Sequence, residues 1–210
     1  MNKKRITDAP TEARILAAAT RVFLEKGKDG ARMQEIADEA GINKALLHYY
    51  FRSKEQLYRE VVLREVSGFF HGLVASFSGH GEIEELLESF IDNYVDRLAG
   101  NPQVVRFLTW ELGSGGDIVR EVVREEVRGG RSGDLYRKFT EAVDRAVREG
   151  RIRPVDPQHL IMNVIGMCVY TFLAAPILEH LFPGLDIRGE PFIEKRKEEI
   201  YELVRRGIAI

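Results

Sequence analysis

From Met33 to Phe51 the chain reads as two short helices closed around one tight turn, and this unit constrains everything that follows it. Ile36, Ala37 and Ala40 give the first helix a small apolar face. Gly41 can take the positive φ that a sharp exit requires. Asn43 is a good N-cap for the second helix, its side chain accepting from an amide two or three residues on. Leu46, Leu47 and Tyr50 are placed as the inward side of that helix. Helices this short are marginal by themselves, so the pair needs a third helix behind it. Held rigidly, such a unit lays its second helix in a DNA major groove.

The supporting helix lies directly upstream. Ile15, Leu16, Ala19, Val22 and Phe23 recur at spacings of three and four, with Thr11 as the expected cap and Gly27 as the stop. Ser53 followed three residues later by Gln56 opens the next helix as a capping pattern. Its apolar positions, Leu57, Val61, Val62, Val66, Phe69 and Phe70, run well past the helix-turn-helix unit. This long helix is the expected lever between two parts, a head over 1–52 and a body over 53–210.

Three stretches in order carry a family resemblance. They are Ile15-Leu-x-Ala-Ala-x-x-Val-Phe-x-x-x-Gly27, then Ile36-Ala-x-x-Ala-Gly41-Ile-Asn-Lys44, then Leu47-His-Tyr-Tyr-Phe51-x-Ser-Lys-Glu-x-Leu57. The chain resembles the TetR/AcrR family of bacterial transcriptional regulators over its first quarter. That resemblance implies an all-α protein: an N-terminal three-helix DNA-binding domain, and a C-terminal helical domain that binds an effector and dimerises. It also implies a repressor released from an inverted-repeat operator by a small organic compound.

The candidate DNA contacts follow from the second helix and its flanks. Lys44, at the leading end, is the best-placed long donor for a base edge, with a solvated lysine as the alternative. Asn43 precedes it, and Ala45 is small enough to sit against a base methyl or the backbone. By resemblance, His48 and Tyr49 fall where the family has an aromatic and histidine pair on phosphates, in swapped order here. Lys54 matches the family's phosphate-contacting lysine beside a helix N-terminus, and Tyr50 and Phe51 match its structural aromatics. The family has serine or threonine near position 32, where this chain has Ala31 and Arg32. The cap is therefore lost or moved upstream to Asp29, and Arg32 becomes a phosphate candidate. Ala45 and Leu46 replace the family's glycine and threonine, which leaves the operator sequence unreadable.

Charge agrees with one DNA-facing end. Residues 1–55 hold 11 Lys and Arg against 8 Asp and Glu, and the remainder holds 20 against 25. The lone cysteine, Cys168, excludes an internal disulfide and fits a reducing, cytoplasmic setting. The basic start has no apolar run behind it, so no signal peptide is expected. The most apolar stretch, Leu160 to Leu178, contains Asn163 and Pro176 and reads as a buried helix instead of a membrane span.

Behind the head, helical periodicity gives a body of about six helices. Ile83 to Leu98 carries a wide apolar face ended by Gly100, and Asn101-Pro102 restarts the chain with asparagine as cap. Val104, Val105, Phe107, Leu108 and Leu112 follow, until Gly113-Ser-Gly-Gly116 breaks the helix. Ile118, Val119, Val122, Val123 and Val127 mark the next segment, and Ser132-Gly-Asp134 opens another with Leu135, Phe139, Val143, Ala146 and Val147. Asp156 caps the apolar helix, and a charged helix closes the chain.

The resemblance implies a homodimer through helices at about 156–178 and 191–206, and Gly166 permits close helix approach. It also implies an effector pocket, for which Tyr94, Phe107, Trp110, Glu111, Phe139, Asn163, Met167 and Tyr170 are the candidate lining. Such an aromatic shell favours an apolar or amphipathic compound, although the same residues are spaced as ordinary core. An enzyme is weakly supported. His159 and His180 form no short metal motif, Cys168 has no base at a diagnostic spacing, and no phosphate-binding glycine pattern is present. No metal and no cofactor are expected. A non-catalytic helical adaptor is the other alternative, and it has no need of the Lys44, His48, Tyr49 and Lys54 set.

Overall fold

The computed structural model describes residues 5–75, 81–129 and 131–210, and every regular element among them is an α-helix. The chain packs as two units, one reaching Ser67 and the other starting at Gly68, so the division falls inside a helix.

In the first unit, α1 (Arg5–Gly30) starts upstream of the expected Thr11 cap and carries Pro10 in its interior. It breaks at Gly27, whose φ of 70° is open to glycine and strained for other residues. Ile15, Ala18, Ala19, Val22 and Phe23 form its buried face. α2 (Met33–Glu39) packs on α1, and α3 (Lys44–Tyr50) packs on α2. α2 ends in a Schellman motif. Gly41 at φ 64° lets its own amide reach the Asp38 carbonyl, while the Ile42 amide reaches that of Ala37. α4 (Lys54–Ala75) opens with the expected serine, whose hydroxyl accepts from the Gln56 amide at 3.1 Å. The Gln56 side chain reaches back to the amide of Arg52, one residue further than in a simple capping box. Phe23 meets Tyr58 edge-on at 5.2 Å, which fixes α4 against α1.

The second unit is built around α5 (Ile83–Gly100), which packs against α6 (Pro102–Gly113), α8 (Arg131–Arg148), α9 (Pro157–Leu173) and α11 (Glu190–Ile208). All eight apolar residues on its expected face, from Ile83 to Leu98, are buried. Asn101 does not cap α6 with its side chain. Its amide donates to the Arg97 carbonyl at 2.7 Å and so finishes α5. α7 (Asp117–Arg128) follows the glycine break, where Gly115 and Gly116 both take positive φ. α8 begins at Arg131, ahead of the expected opening at Ser132, whose side chain lies outside the described residues.

Four expected inward residues face solvent instead: Leu46, Leu112, Val123 and Val127. In α3 and α7 the adjacent residue, about 100° round the helix, takes the inward position. Leu47 is fully buried beside Leu46, and Glu126 is buried beside Val127.

The apolar stretch expected as one helix over 156–178 is two. α9 ends at Leu173 with Ala174 as its C-cap, and α10 (Ala175–Leu181) leaves at an angle of 70°. Pro176 is the cause, because its ring would clash with the carbonyl of Phe172 in a continuous helix and it has no amide to donate. Asp156 caps α9 as expected, accepting from Gln158 at 2.7 Å and His159 at 3.2 Å. Among the described residues no single helix is long and apolar enough to cross a membrane.

Candidate nucleic-acid interface and effector site

α3 is held by few groups and shows the rest of its length to solvent. Asn43 accepts from the Leu46 amide at 2.8 Å, which satisfies an otherwise orphan donor of the first turn. Leu47 is its one fully buried side chain, and Tyr50 is half-buried. Asn43, Lys44, Ala45, Leu46, His48 and Tyr49 are all exposed, Tyr49 to 67%. The Tyr49 ring stands edge-on to Tyr50 at 5.5 Å, which limits where its hydroxyl can point. The outward face thus combines a cation, an imidazole and a phenol on a helix that has no acidic residue. Phe51 is buried just after it and anchors the exit.

Arg32 is exposed and sits at the N-cap of α2, the position where serine or threonine was expected to be missing. A guanidinium cannot accept an amide proton. Glu35 supplies the capping bond in its place, accepting from the Arg32 amide at 3.3 Å. The Lys26 ammonium at 3.0 Å, aided by the Arg32 amide, holds the Glu35 carboxyl below the usual carboxylate range. Asp29 is therefore not the cap. Its backbone carbonyl has a different partner, the Lys54 ammonium at 3.0 Å, which also donates to the Ala31 carbonyl at 3.2 Å. Lys54 thereby ties the start of α4 to the end of α1, a role that sequence spacing did not reveal. One of its three protons is left for another acceptor. Arg21 pairs with Glu39 at 2.7 Å, which adds a second polar tie between α1 and α2.

The eight candidate effector residues are not gathered at one surface. Tyr94, Phe107, Glu111 and Phe139 are buried, and Trp110 is half-buried with its ring 5.8 Å from that of Phe107. Tyr94 stacks on Phe90 at 5.4 Å and meets Phe69 at 5.7 Å. Burial pushes the Tyr94 phenol well above its ordinary range. Asn163 and Met167 line a different feature, an open groove of about 540 Å³ between the first half of α9 and the last half of α11. Tyr170 is 61% exposed. The helical period explains this. Leu160, Val164, Cys168 and Phe172 form the inward line of α9, and residues 163 and 170 fall off it.

Cys168 is buried, and burial pushes its thiol up to about 12, against a smaller opposing effect of Arg196. The thiol is therefore protonated at neutral pH and is a poor nucleophile. A further polar contact leaves no mark in the spacing of the sequence. His71 of α4 meets Glu126 of α7 at 2.7 Å, and Glu126 is buried where its sequence context of alternating charges reads as solvated surface.

Comparison with known proteins agrees with this geometry. Residues 15–61 match the family model described as bacterial regulatory proteins, tetR family, and residues 84–204 match the tetracyclin repressor-like C-terminal domain. The HTH-type transcriptional regulator RutR of Escherichia coli strain K12 is 27% identical over 206 residues, covering 98% of this chain and 93% of RutR. An HTH-type transcriptional repressor of Streptomyces coelicolor is 34% identical over 101 residues, 48% of this chain and 49% of the relative. Among solved structures, AibR in complex with isovaleryl coenzyme A and operator DNA aligns with a TM-score of 0.66 at 20% identity, over 92% of this chain and 97% of AibR.

Proposed function

The chain belongs to the tetR family of bacterial regulatory proteins and is a helix-turn-helix DNA-binding transcription regulator, and from that premise we propose that it is a homodimeric repressor released from an inverted-repeat operator by a small organic effector. The observation that carries this reading is α3 itself: a helix fixed by one buried leucine and one asparagine cap, with Lys44, Ala45, His48 and Tyr49 free of the core. Lys44 is assigned to a base edge, and Arg32, His48 and Tyr49 to phosphates. Asn43 is assigned to the DNA face through its cap, and Lys54 through its remaining proton.

A two-fold operator requires a two-fold protein, and the second unit has a surface suited to one. α9 exposes Met162, Ile165 and Tyr170, and Leu203 of α11 is exposed to 64%. Met162 and Ile165, three residues apart, share one face of α9, which suits a surface covered by a partner. Ile177, Leu181 and Phe182 continue the exposed apolar set past the bend.

For the effector, Tyr94, Phe107, Trp110, Glu111 and Phe139 supply aromatic surface with a single carboxylate. AibR, similar in fold, was solved with both an organic ligand and operator DNA. α4 runs unbroken from the end of the DNA-reading unit into the second unit, so packing changes around it reach the head through the backbone. A coupling of roughly 1–3 kcal/mol between the effector-favoured and DNA-favoured states suffices for regulation. Function at DNA places the protein in the cytoplasm, and no catalysis is assigned to it.

Footprinting of bound genomic fragments, followed by a small-molecule screen for operator release, tests the reading. It predicts a protected inverted repeat and at least one organic compound that frees it. Protection without two-fold symmetry contradicts the dimer, and an effector-insensitive complex contradicts the release.

A further inference from the structure

α9 carries two unlike faces. Leu160, Val164, Cys168 and Phe172, one turn apart, are buried in the second unit. On the other side Met162 and Tyr170 are exposed, each one turn from Gly166, which is exposed between them with Ile165 beside it. From Leu160 to Leu173 the helix has no charged residue. Next to this face the groove between α9 and α11 stands open, with Asn163, Met167 and Leu203 on its walls.

Nothing within the subunit calls for a glycine at 166. The position lies near the middle of α9 and has no positive φ. A methyl group there would meet no neighbouring element within 4 Å among the described residues. Glycine is the poorest helix former after proline, so the position gives up local stability with no compensation inside the subunit. A second helix laid across it supplies that compensation. Packed helices stand about 8–10 Å apart according to the side chains between them, and a glycine at the contact removes that spacer. Gly68 of α4 is equally open, but Arg64 and Gly72 lie one turn either side of it, so no apolar face surrounds it.

The charges decide what the second helix is. α11 keeps its outer face for water. Lys195 pairs there with Glu198 at 2.9 Å and Glu199 at 3.1 Å, and Glu202 pairs with Arg205 at 2.9 Å and Arg206 at 3.2 Å. Pressing these pairs into a contact would cost their hydration. An uncharged stretch of α9 against its own copy strips no charge of water and opposes no like charges. The face is also self-complementary, small at its centre and large one turn out on both sides, as an isologous contact requires.

We infer that two copies of the chain cross at Gly166. The two-fold axis passes beside this residue, so the glycine of one copy lies against the same glycine of the other. Met162, Ile165 and Tyr170 close around the crossing, and the open groove leaves room for flanking side chains of the second copy. Resting on the homodimer reading above, this placement fixes where the axis of that dimer runs.

The test uses the full chain. Gly166→Cys, oxidised with copper–phenanthroline, is expected to form a disulfide-linked dimer, because residues on the axis come within the roughly 4–7 Å between Cα atoms that the bond allows. Gln158→Cys and Leu203→Cys, exposed but off the axis, are expected to stay unlinked, as is the wild type, whose Cys168 is buried. The linked protein should keep its operator affinity. Gly166→Leu should keep its helix content by far-ultraviolet dichroism while its dimer dissociation constant, from sedimentation, rises roughly tenfold to a hundredfold. No link through Gly166→Cys overturns the crossing, and a link through Leu203→Cys in its place puts the axis on α11. A Gly166→Leu protein that dimerises as tightly as the wild type overturns it too, and leaves the homodimer intact. A linked dimer that no longer binds the operator overturns it as well, since the crossing then belongs to another assembly. A wild type that sediments as a monomer at every concentration removes the homodimer reading and the crossing with it.

Discussion

The ammonium of Lys54 donates to the backbone carbonyl of Asp29 at 3.0 Å. A second bond, to Ala31 at 3.2 Å, makes this lysine the cap of the irregular end of α1 as well as the first residue of α4. Both bonds involve a charged donor and are therefore stronger than neutral ones. Lys54→Ala is expected to lower stability by about 1–2 kcal/mol and to weaken operator and random DNA alike, because the support of the reading unit loosens. Denaturant unfolding and paired binding isotherms check this. A changed operator-to-random ratio would assign base reading to Lys54 and contradict the structural role.

Lys44 stands at the opposite pole, exposed and at the leading end of α3. Lys44→Ala is expected to leave stability within about 0.5 kcal/mol of the wild type. It should reduce operator affinity roughly tenfold more than affinity for random duplex. Anisotropy titrations over a salt series measure both. An unchanged ratio means the lysine meets only phosphate.

Asn43 accepts the Leu46 amide at 2.8 Å, and α3 has little else to hold its first turn. Asn43→Ala is expected to cost about 1 kcal/mol, and Asn43→Asp to retain most of that stability. Chemical denaturation monitored by far-ultraviolet dichroism resolves the difference. Equal loss in both variants would place the role of Asn43 outside capping.

The exposed apolar line of α9 gives a prediction about assembly. Ile165→Glu puts a charge on a side chain that the single chain leaves 36% exposed, so the subunit should still fold. It should sediment as a monomer where the wild type sediments as a dimer, and its operator affinity should collapse. A dimeric Ile165→Glu protein would place the interface elsewhere.

Cys168 gives a pH dependence of known sign. Burial raises its thiol to about 12 from an ordinary 9.0, so the folded state holds the proton more tightly than the unfolded chain. The associated stability is complete below about pH 9 and is lost as pH rises towards 12. Cys168→Ala should flatten part of the alkaline loss, the remainder coming from groups such as Tyr94, whose phenol is also raised. Unfolding free energies measured across the alkaline range test it, and a wild type and variant that fall in parallel would contradict the assignment.

Much of the first unit was legible because each signal is local. The Ser53 cap, the Gly41 exit and the Asn43 cap are decided within four residues, and the structure realises all three. The hidden part depends on tertiary neighbours. No spacing rule couples Lys54 to the carbonyl of Asp29, 25 residues away. Glu126 sits in a run of charges, and only the packing of α7 shows which of them turns inward to meet His71. The pocket residues failed to converge for a related reason. Aromatic composition marks Tyr94 and Tyr170 equally, yet the period of α9 puts Tyr170 outside while α5 keeps Tyr94 inside. The bend after α9, by contrast, is local, because Pro176 marks it in the sequence and breaks the helix there.

The central claim is that α3 reads DNA as one of a symmetric pair. Sedimentation equilibrium of the full chain with a short duplex bearing its footprinted repeat, against the same duplex with one half-site scrambled, measures that most directly. The account predicts two chains on each intact repeat, and a marked loss of affinity, on the order of a hundredfold, when either half is scrambled. One chain per duplex, or equal binding to intact and scrambled repeats at moderate salt, would contradict it.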